Sequence, residues 1–438
     1  MKFPRSGLMV LVLLLLTAAQ TPTIFPVAVN GNQRLLQAAD GHPFLLLGDA
    51  AWSLIAELDR EEATAYLDDR AKRGFNAILV NLVEHQFSSH PPANAFGDLP
   101  FPQQPFAALG KNYFDHAAWV IDQALKRNML VFVVPAYLGV NGGDQGWYTQ
   151  AAAAGPDTMR AYGEAVARRF QQYPNIVWVL GGDFDAPDKT LVSHLAEGIA
   201  AVSPGALQTV HASRDTPGFE MWGGAQWFSM DAVYTYGDVH NQVLERSSRS
   251  RLPVILLEGA YEYERDSTAR TIRRNAYGAM LGGAAGQFFG NNPVWHFSGP
   301  GVFPSDQRWR DALDSPGAQS MTVLKAVLER IEWFKLQPDR DRLITDVEGS
   351  YAAAWPDHRL IAIYGDAGQF QVKTDAMKGA ASALWVDPAS GRLIAAKSPQ
   401  LRQGLQIYQT PPDRHNVPDS DWLLLIGSPE EMLHLQKR

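Results

Sequence analysis

Eight short apolar runs, separated by longer segments of helical periodicity, dominate the sequence and leave few architectures open to it. The runs are 44–47, 77–82, 130–135, 176–180, 207–210, 232–235, 254–257 and 286–289. Between them, 61–73, 113–127, 157–172, 189–202 and 267–281, and after the last of them 318–334, carry apolar residues at three-to-four spacing, as in Ala117, Val120, Ile121, Ala124 and Leu125. Short buried strands alternating with amphipathic helices define βαβ units, and eight of them in succession predict a closed parallel (β/α)8 barrel over residues 26–337. An open doubly wound sheet is the competitor, but no glycine-rich phosphate loop follows the first run.

After about residue 340 the pattern changes to brief strands with turn signals: 351–355, 360–364, 381–386, 392–395 and 422–425. The stretch Asp387-Pro388-Ala389-Ser390-Gly391 is a reverse turn between two of them. A small antiparallel β-sandwich over 340–438 follows from that spacing, giving an α/β barrel with an appended all-β module.

At the N-terminus, Lys2 and Arg5 precede an apolar run from Leu8 to Leu16 and then Thr17, Ala18 and Ala19. This is the layout of a secretory signal over residues 1–20, too short in its apolar part to span a bilayer. The expected destination is a bacterial periplasm or the outside medium, with no membrane attachment after cleavage. The 438 residues include no cysteine, so disulfides and thiolate chemistry are excluded. A formal charge of -8 without a basic stripe argues against nucleic acid as a partner.

In a parallel barrel the chemistry gathers at the carboxyl ends of the strands. The polar residues there are Asp49; Asn81, Glu84 and His85; Tyr137; Asp183 and Asp185; His211; Tyr234 and Tyr236; Glu258; and Asn291 and Asn292. Asp183 stands out because an apolar strand runs through Gly181-Gly182 into it, with Asp185 and Asp188 available to cap the next helix. Glu258 ends the apolar run Val254-Ile255-Leu256-Leu257, where a carboxylate is costly unless paired or facing a cleft. Glu262 and Glu264 are weaker candidates on the loop beyond. Two carboxylates across a barrel mouth are the equipment of glycoside hydrolysis, one protonating the leaving oxygen and the other attacking carbon or activating water.

Trp52, Trp147, Trp222, Trp227, Trp295 and Phe297 crowd the same loops, and flat aromatic rings suit sugar faces. Asp49, Trp52, Asn81, His85, Tyr137, His211, Trp222, Tyr236, Asn291 and Trp295 are therefore the expected substrate contacts. The long segment from Gln86 to Lys111 is placed to wall the site. The 11 histidines are scattered, without a His-x-His pair on the first strand, so neither metal nor other cofactor is expected. A non-catalytic carbohydrate-binding barrel and a metal-dependent hydrolase are the rival readings. Oligomeric state is not encoded.

At these residues the chain resembles the apiosidase-like glycoside hydrolases, a bacterial family with members that remove apiose-linked side chains from the pectin rhamnogalacturonan II. The resemblance rests on Asp40-Gly41, Pro43-Phe44, Gly48-Asp49-Ala50-Ala51-Trp52, Arg73-Gly74-Phe75-Asn76, 175–183, Leu257-Glu258-Gly259, Tyr277-Gly278 and Gly286-Gln287. It implies Asp183 as acid/base and Glu258 as nucleophile, with retention of anomeric configuration. The tail, with Trp385-Val386-Asp387-Pro388 and Asp421-Trp422-Leu423-Leu424, is similar to the β-sandwich that follows this catalytic domain and is often labelled collagen-binding. Nothing in these residues specifies collagen; the module can simply brace the barrel.

Overall fold

The computed structural model describes residues 24–30, 34–366, 368–376, 381–397, 399–412 and 421–437. The expected signal segment, 1–20, lies outside the described residues.

Eight parallel strands form the barrel: β1 (Leu46–Ala50), β2 (Ala77–Asn81), β3 (Leu130–Val134), β4 (Ile176–Gly181), β5 (Leu207–His211), β6 (Asp231–Tyr234), β7 (Val254–Glu258) and β8 (Gly286–Phe289). Their order runs β5-β4-β3-β2-β1-β8-β7-β6. After each strand in turn comes one of the helices α1 (Arg60–Lys72), α2 (Lys111–Lys126), α3 (Pro156–Phe170), α4 (Thr190–Val202), α5 (Gly218–Trp222), α6 (Val239–Arg249), α7 (Ala269–Leu281) and α8 (Pro316–Arg330), with shorter helical turns in the loops. Between β5 and β6 a regular ladder gives way to side-chain bonds. Thr209 Oγ1 donates to the Met230 carbonyl at 2.8 Å, and Ser229 Oγ meets both the amide and the carbonyl of Gln208. Strand alternation splits the core into two layers. Leu79, Phe132, Val179, Ile255 and Phe288 fill the barrel, while Ile78, Val131, Trp178, Leu256 and Phe289 meet the helices. Gly48 makes room for this filling, since a Cβ there would come within 2.2 Å of the Phe288 ring.

The first strand starts two residues later than its apolar run predicts. This moves Asp49 into β1, where it is fully buried among the helices. Its Oδ2 accepts from Tyr66 Oη and Arg70 Nε, both at 2.6 Å, and both donors sit on α1.

The C-terminal part has a six-stranded antiparallel sheet, ordered β9 (Gln337–Pro338), β10 (Tyr351–Ala354), β11 (Leu360–Asp366), β17 (Asp421–Gly427), β13 (Ser382–Val386) and β14 (Leu393–Ala395). Facing it is a three-stranded sheet of β12 (Gln369–Lys373), β16 (Leu405–Gln409) and β15 (Gln400–Arg402). Ile361, Ile363, Phe370, Trp385, Trp422 and Leu424 pack between the sheets. The alternate residues Tyr364, Leu384, Leu423 and Leu425 belong to the core of the barrel's helical layer. At that junction Arg273 of α7 forms a buried two-pronged ion pair with Asp421, at 2.7 and 2.8 Å, and Tyr364 donates to the same carboxylate at 2.8 Å. Tyr277 stacks on Tyr364 with ring centroids 4.8 Å apart. The sandwich is thus welded to one barrel helix.

Candidate active site

A cleft of about 550 Å³ opens at the carboxyl ends of the strands, and both Asp183 and Glu258 line it. The double glycine explains how β4 delivers its carboxylate. Gly181 and Gly182 hold φ of 80° and 127°, and a Cβ on Gly182 would meet Tyr137 at 2.4 Å and the Leu138 amide at 2.8 Å. The chain therefore turns tightly under β3 before presenting Asp183, itself left-handed at φ 54°. The neighbouring acids have other partners. Asp185 pairs reciprocally with Ser213, and Asp188 accepts the Thr190 amide at 2.9 Å at the start of α4.

Glu258 is the last residue of β7, with 12% of its side chain exposed. A bulge between Val233 and Tyr234 pairs Tyr234 with Glu258 and aims β6 at the same point. His211, at the end of β5, links the two carboxylate residues. Its Nδ1 accepts the Asp183 amide at 2.7 Å, and its Nε2 lies 2.7 Å from Glu258 Oε2. Because a backbone N–H points at Nδ1, that nitrogen is the acceptor and Nε2 carries the proton. Burial opposes the imidazolium, and the Glu258 and Asp183 charges outweigh it and raise the His211 pKa. A second proton on Nδ1 would still have to displace the Asp183 amide, so we assign the neutral Nε2–H form. Tyr236 Oη donates to the other Glu258 oxygen at 3.1 Å. Glu258 is thereby fixed at both oxygens.

Asp183 is in a different setting. Burial is the main cause that raises its pKa to about 6, and the Glu258 charge adds to it, against a hydrogen bond with Tyr234. One carboxyl is held near the point of protonation while the other is clamped by two donors, which is the division of labour acid and nucleophile require.

Of the other expected contacts, Trp52, Asn81, Tyr137, Tyr236 and Trp295 line the cleft, and His211 stands behind it. Asp49, His85, Trp222 and Asn291 do not line it. Asp49 is the α1 anchor described above. His85 packs edge-on against Trp147, with centroids 4.7 Å apart. Trp222 leans on Trp227 at 5.4 Å, and Asn291 bonds to Glu262 at 3.1 Å. Glu84 accepts the amides of His85, Gln86 and Phe87 and so pins its own loop.

The segment 86–111 contributes only Phe87 to the cleft; its Phe101 and Phe106 pack outward on Trp147 and Tyr162. Sequence reasoning missed Tyr261, Arg214, Gln145 and Phe303, all in the lining. They sit on loops without periodicity; Arg214 and Tyr261 carried the signal of a position just beyond a strand end, and Gln145 and Phe303, far along their loops, carried none. Among the described residues no three His, Asp or Glu side chains cluster as metal ligands.

A parallel barrel with two carboxylates lining one aromatic-walled cleft at its strand ends has the equipment that glycoside hydrolysis requires. The chain matches the family "Apiosidase-like, catalytic domain" over residues 30–335 and belongs to it. A solved structure described as a glycoside hydrolase superimposes with a TM-score of 0.77 at 24% identity, over 92% of this chain and 97% of that one. A glycoside hydrolase family 5 structure from Bacteroides vulgatus gives 0.77 at 22% identity, over 94% and 96%. A family 5 mannosidase from Rhizomucor miehei gives 0.52 at 13% identity, over 71% and 99%. At these identities the likeness is one of fold. No curated protein matches the chain.

Proposed function

We propose that the protein is an exported, retaining exo-glycosidase that removes a terminal sugar, with apiose the leading candidate, from side chains of plant cell-wall polysaccharide such as pectin. Asp183 serves as acid and then base, and Glu258 as nucleophile. The observation that carries this reading is the His211 link, which ties a clamped carboxylate to the backbone of a residue with a carboxyl of raised pKa, both lining one cleft. Family membership supports the sugar, and the layout of residues 1–20 supports export.

In the first step Asp183 gives its proton to the leaving oxygen as Glu258 attacks the anomeric carbon, forming a glycosyl-enzyme ester. Asp183 then takes a proton from water, which displaces Glu258 and returns the sugar with its original configuration. His211 Nε2–H and Tyr236 Oη keep Glu258 aimed while its charge disappears and returns.

The test is incubation of purified protein with apiosides, arabinosides, galactosides and pectin oligosaccharides, following product anomers by NMR. Release of a terminal sugar with retained configuration is expected, lost in Asp183→Asn and Glu258→Gln. An absence of turnover, or turnover undiminished in both variants, sinks the proposal.

A further inference from the structure

Besides the proposed catalytic pair, three glutamates are buried at the barrel mouth: Glu84, Glu262 and Glu264. Two of them serve the fold. Glu84 accepts three backbone amides together with Ser53 Oγ and Asn81 Nδ2. Glu262 accepts the Gly317 amide at 2.7 Å, which seats the start of α8, and Asn291 Nδ2 at 3.1 Å.

Glu264 differs. It is 8% exposed, lines the cleft, and receives one hydrogen bond, from Trp295 Nε1 to Oε1 at 2.8 Å. No donor among the described residues meets its Oε2, and Arg265 acts on it through its charge without a close ion pair. The Arg265 guanidinium lies instead over the rings of Tyr236 and Phe303, at 5.6 and 5.3 Å. Oε2 is open to the cleft, where the hydroxyl groups of a ligand would replace water as its donors.

The surrounding wall sharpens the assignment. Trp52 spends its indole N–H on Tyr261 Oη at 2.7 Å, and Trp295 spends its own on Glu264. These aromatics therefore show a substrate rings and edges without donors, and Glu264 is the strong acceptor among them. We propose that Glu264 determines glycone specificity: its Oε2 accepts a hydrogen bond from a ring hydroxyl of a neutral terminal sugar lying along Trp295, and its charge rejects a sugar bearing a carboxylate. This rests on the glycosidase reading above.

Burial, with the Glu258 charge added to it, raises the Glu264 pKa to about 7 against the pull of the Trp295 hydrogen bond and the Arg265 charge. An acceptor of that kind binds sugar above this pH and loses its grip as the pH falls through it.

The experiment compares wild type and Glu264→Gln on the neutral aryl glycoside that wild type cleaves, its monodeoxy analogues and the corresponding uronide. Glu264→Gln should raise KM about 10- to 100-fold with kcat changed less than about threefold, the loss expected for one hydrogen bond to a charged group. One monodeoxy analogue should be poor for wild type and unpenalised in the variant, and the rise of KM below pH 7 should vanish. An unchanged KM with the same ranking of analogues, or a wild type that prefers the uronide, overturns this proposal and leaves the glycosidase reading intact. Wild type without activity on any glycoside overturns both. Should Glu264→Gln fail to fold, Glu264→Asp keeps the charge and withdraws the oxygen; a raised KM with the uronide still refused supports the assignment, and an unchanged KM overturns it.

Discussion

His211 Nε2 sits 2.7 Å from Glu258 Oε2, inside a hydrogen-bonded chain that begins at the Asp183 amide. Because the ring donates at one end and accepts at the other, it sets the attack direction of Glu258 and the placement of the β4 turn together. His211→Ala should lower kcat/KM by about 10²-fold, the scale of an ångström-sized misplacement, with the fold retained. Steady-state kinetics with a thermal melt checks this; a loss below threefold would leave the ring as packing.

The raised pKa of Asp183 makes activity pH-dependent in a stated direction. An acid must carry its proton, so kcat/KM should fall about tenfold per unit as the pH rises above about 6. A dinitrophenyl glycoside departs without protonation and should lose that limb in its first step. A pH profile of both substrates decides the matter. The same basic limb on both, or one surviving in Asp183→Asn, would assign the titration elsewhere.

Gly182 is the position where backbone conformation and catalysis meet. Alanine there would drive a methyl against Tyr137 and the Leu138 amide in a left-handed region that side chains avoid. Gly182→Ala should cost about 1–3 kcal/mol and at least about 10²-fold in kcat, because the same shift moves Asp183. Denaturant melts and kinetics measure the two losses; full activity in a stable variant would contradict this account of the turn.

Asp183 and Glu258 were legible as candidates because each ends an apolar strand in a carboxylate beside glycine, where burial makes acidity conspicuous. The barrel itself was legible from periodicity alone. Asp49 ends in a similar way, Gly48-Asp49, yet it pairs with Arg70, whose position on a helix face carries no local mark of that partnership. Glu264 stood no higher than Glu262 on the loop beyond Glu258, and the fold separates them by turning Glu264, with Tyr261, into the cleft. In the sandwich, β11 and β17 read clearly since both faces of their sheet are covered, one by the barrel and one by the second sheet. The facing strands Gln369–Lys373 and Leu405–Gln409 alternate with polar residues and went unseen.

Asp49 separates stability from catalysis. Arg70, wholly buried beside it, would keep its pair with Asp69 at 3.0 Å, so Asp49→Asn should destabilise the protein by about 1–3 kcal/mol, the range for a weakened hydrogen bond to a buried charge. It lies outside the cleft lining, so KM measured below the melting range should stay within about twofold of wild type. A large KM change with stability intact would return Asp49 to the substrate contacts.

The junction of barrel and sandwich makes a prediction about cooperativity. Arg273 and Asp421 are both buried, their bond is two-pronged, and Tyr364 donates to the carboxylate while stacking on Tyr277. Core residues of the six-stranded sheet continue the barrel's helical layer without a break. Two bodies sharing one core should unfold together, so calorimetry of the full chain should show one transition. Asp421→Ala removes the carboxylate that both prongs of Arg273 reach and should lower stability by roughly 3–5 kcal/mol. That loss should move the whole transition down, since the helix that carries Arg273 packs on β8 and the active-site face depends on it. Two separate transitions in the wild type, or a variant in which the barrel melts where it did before, would show that the sandwich is a passenger and not a brace.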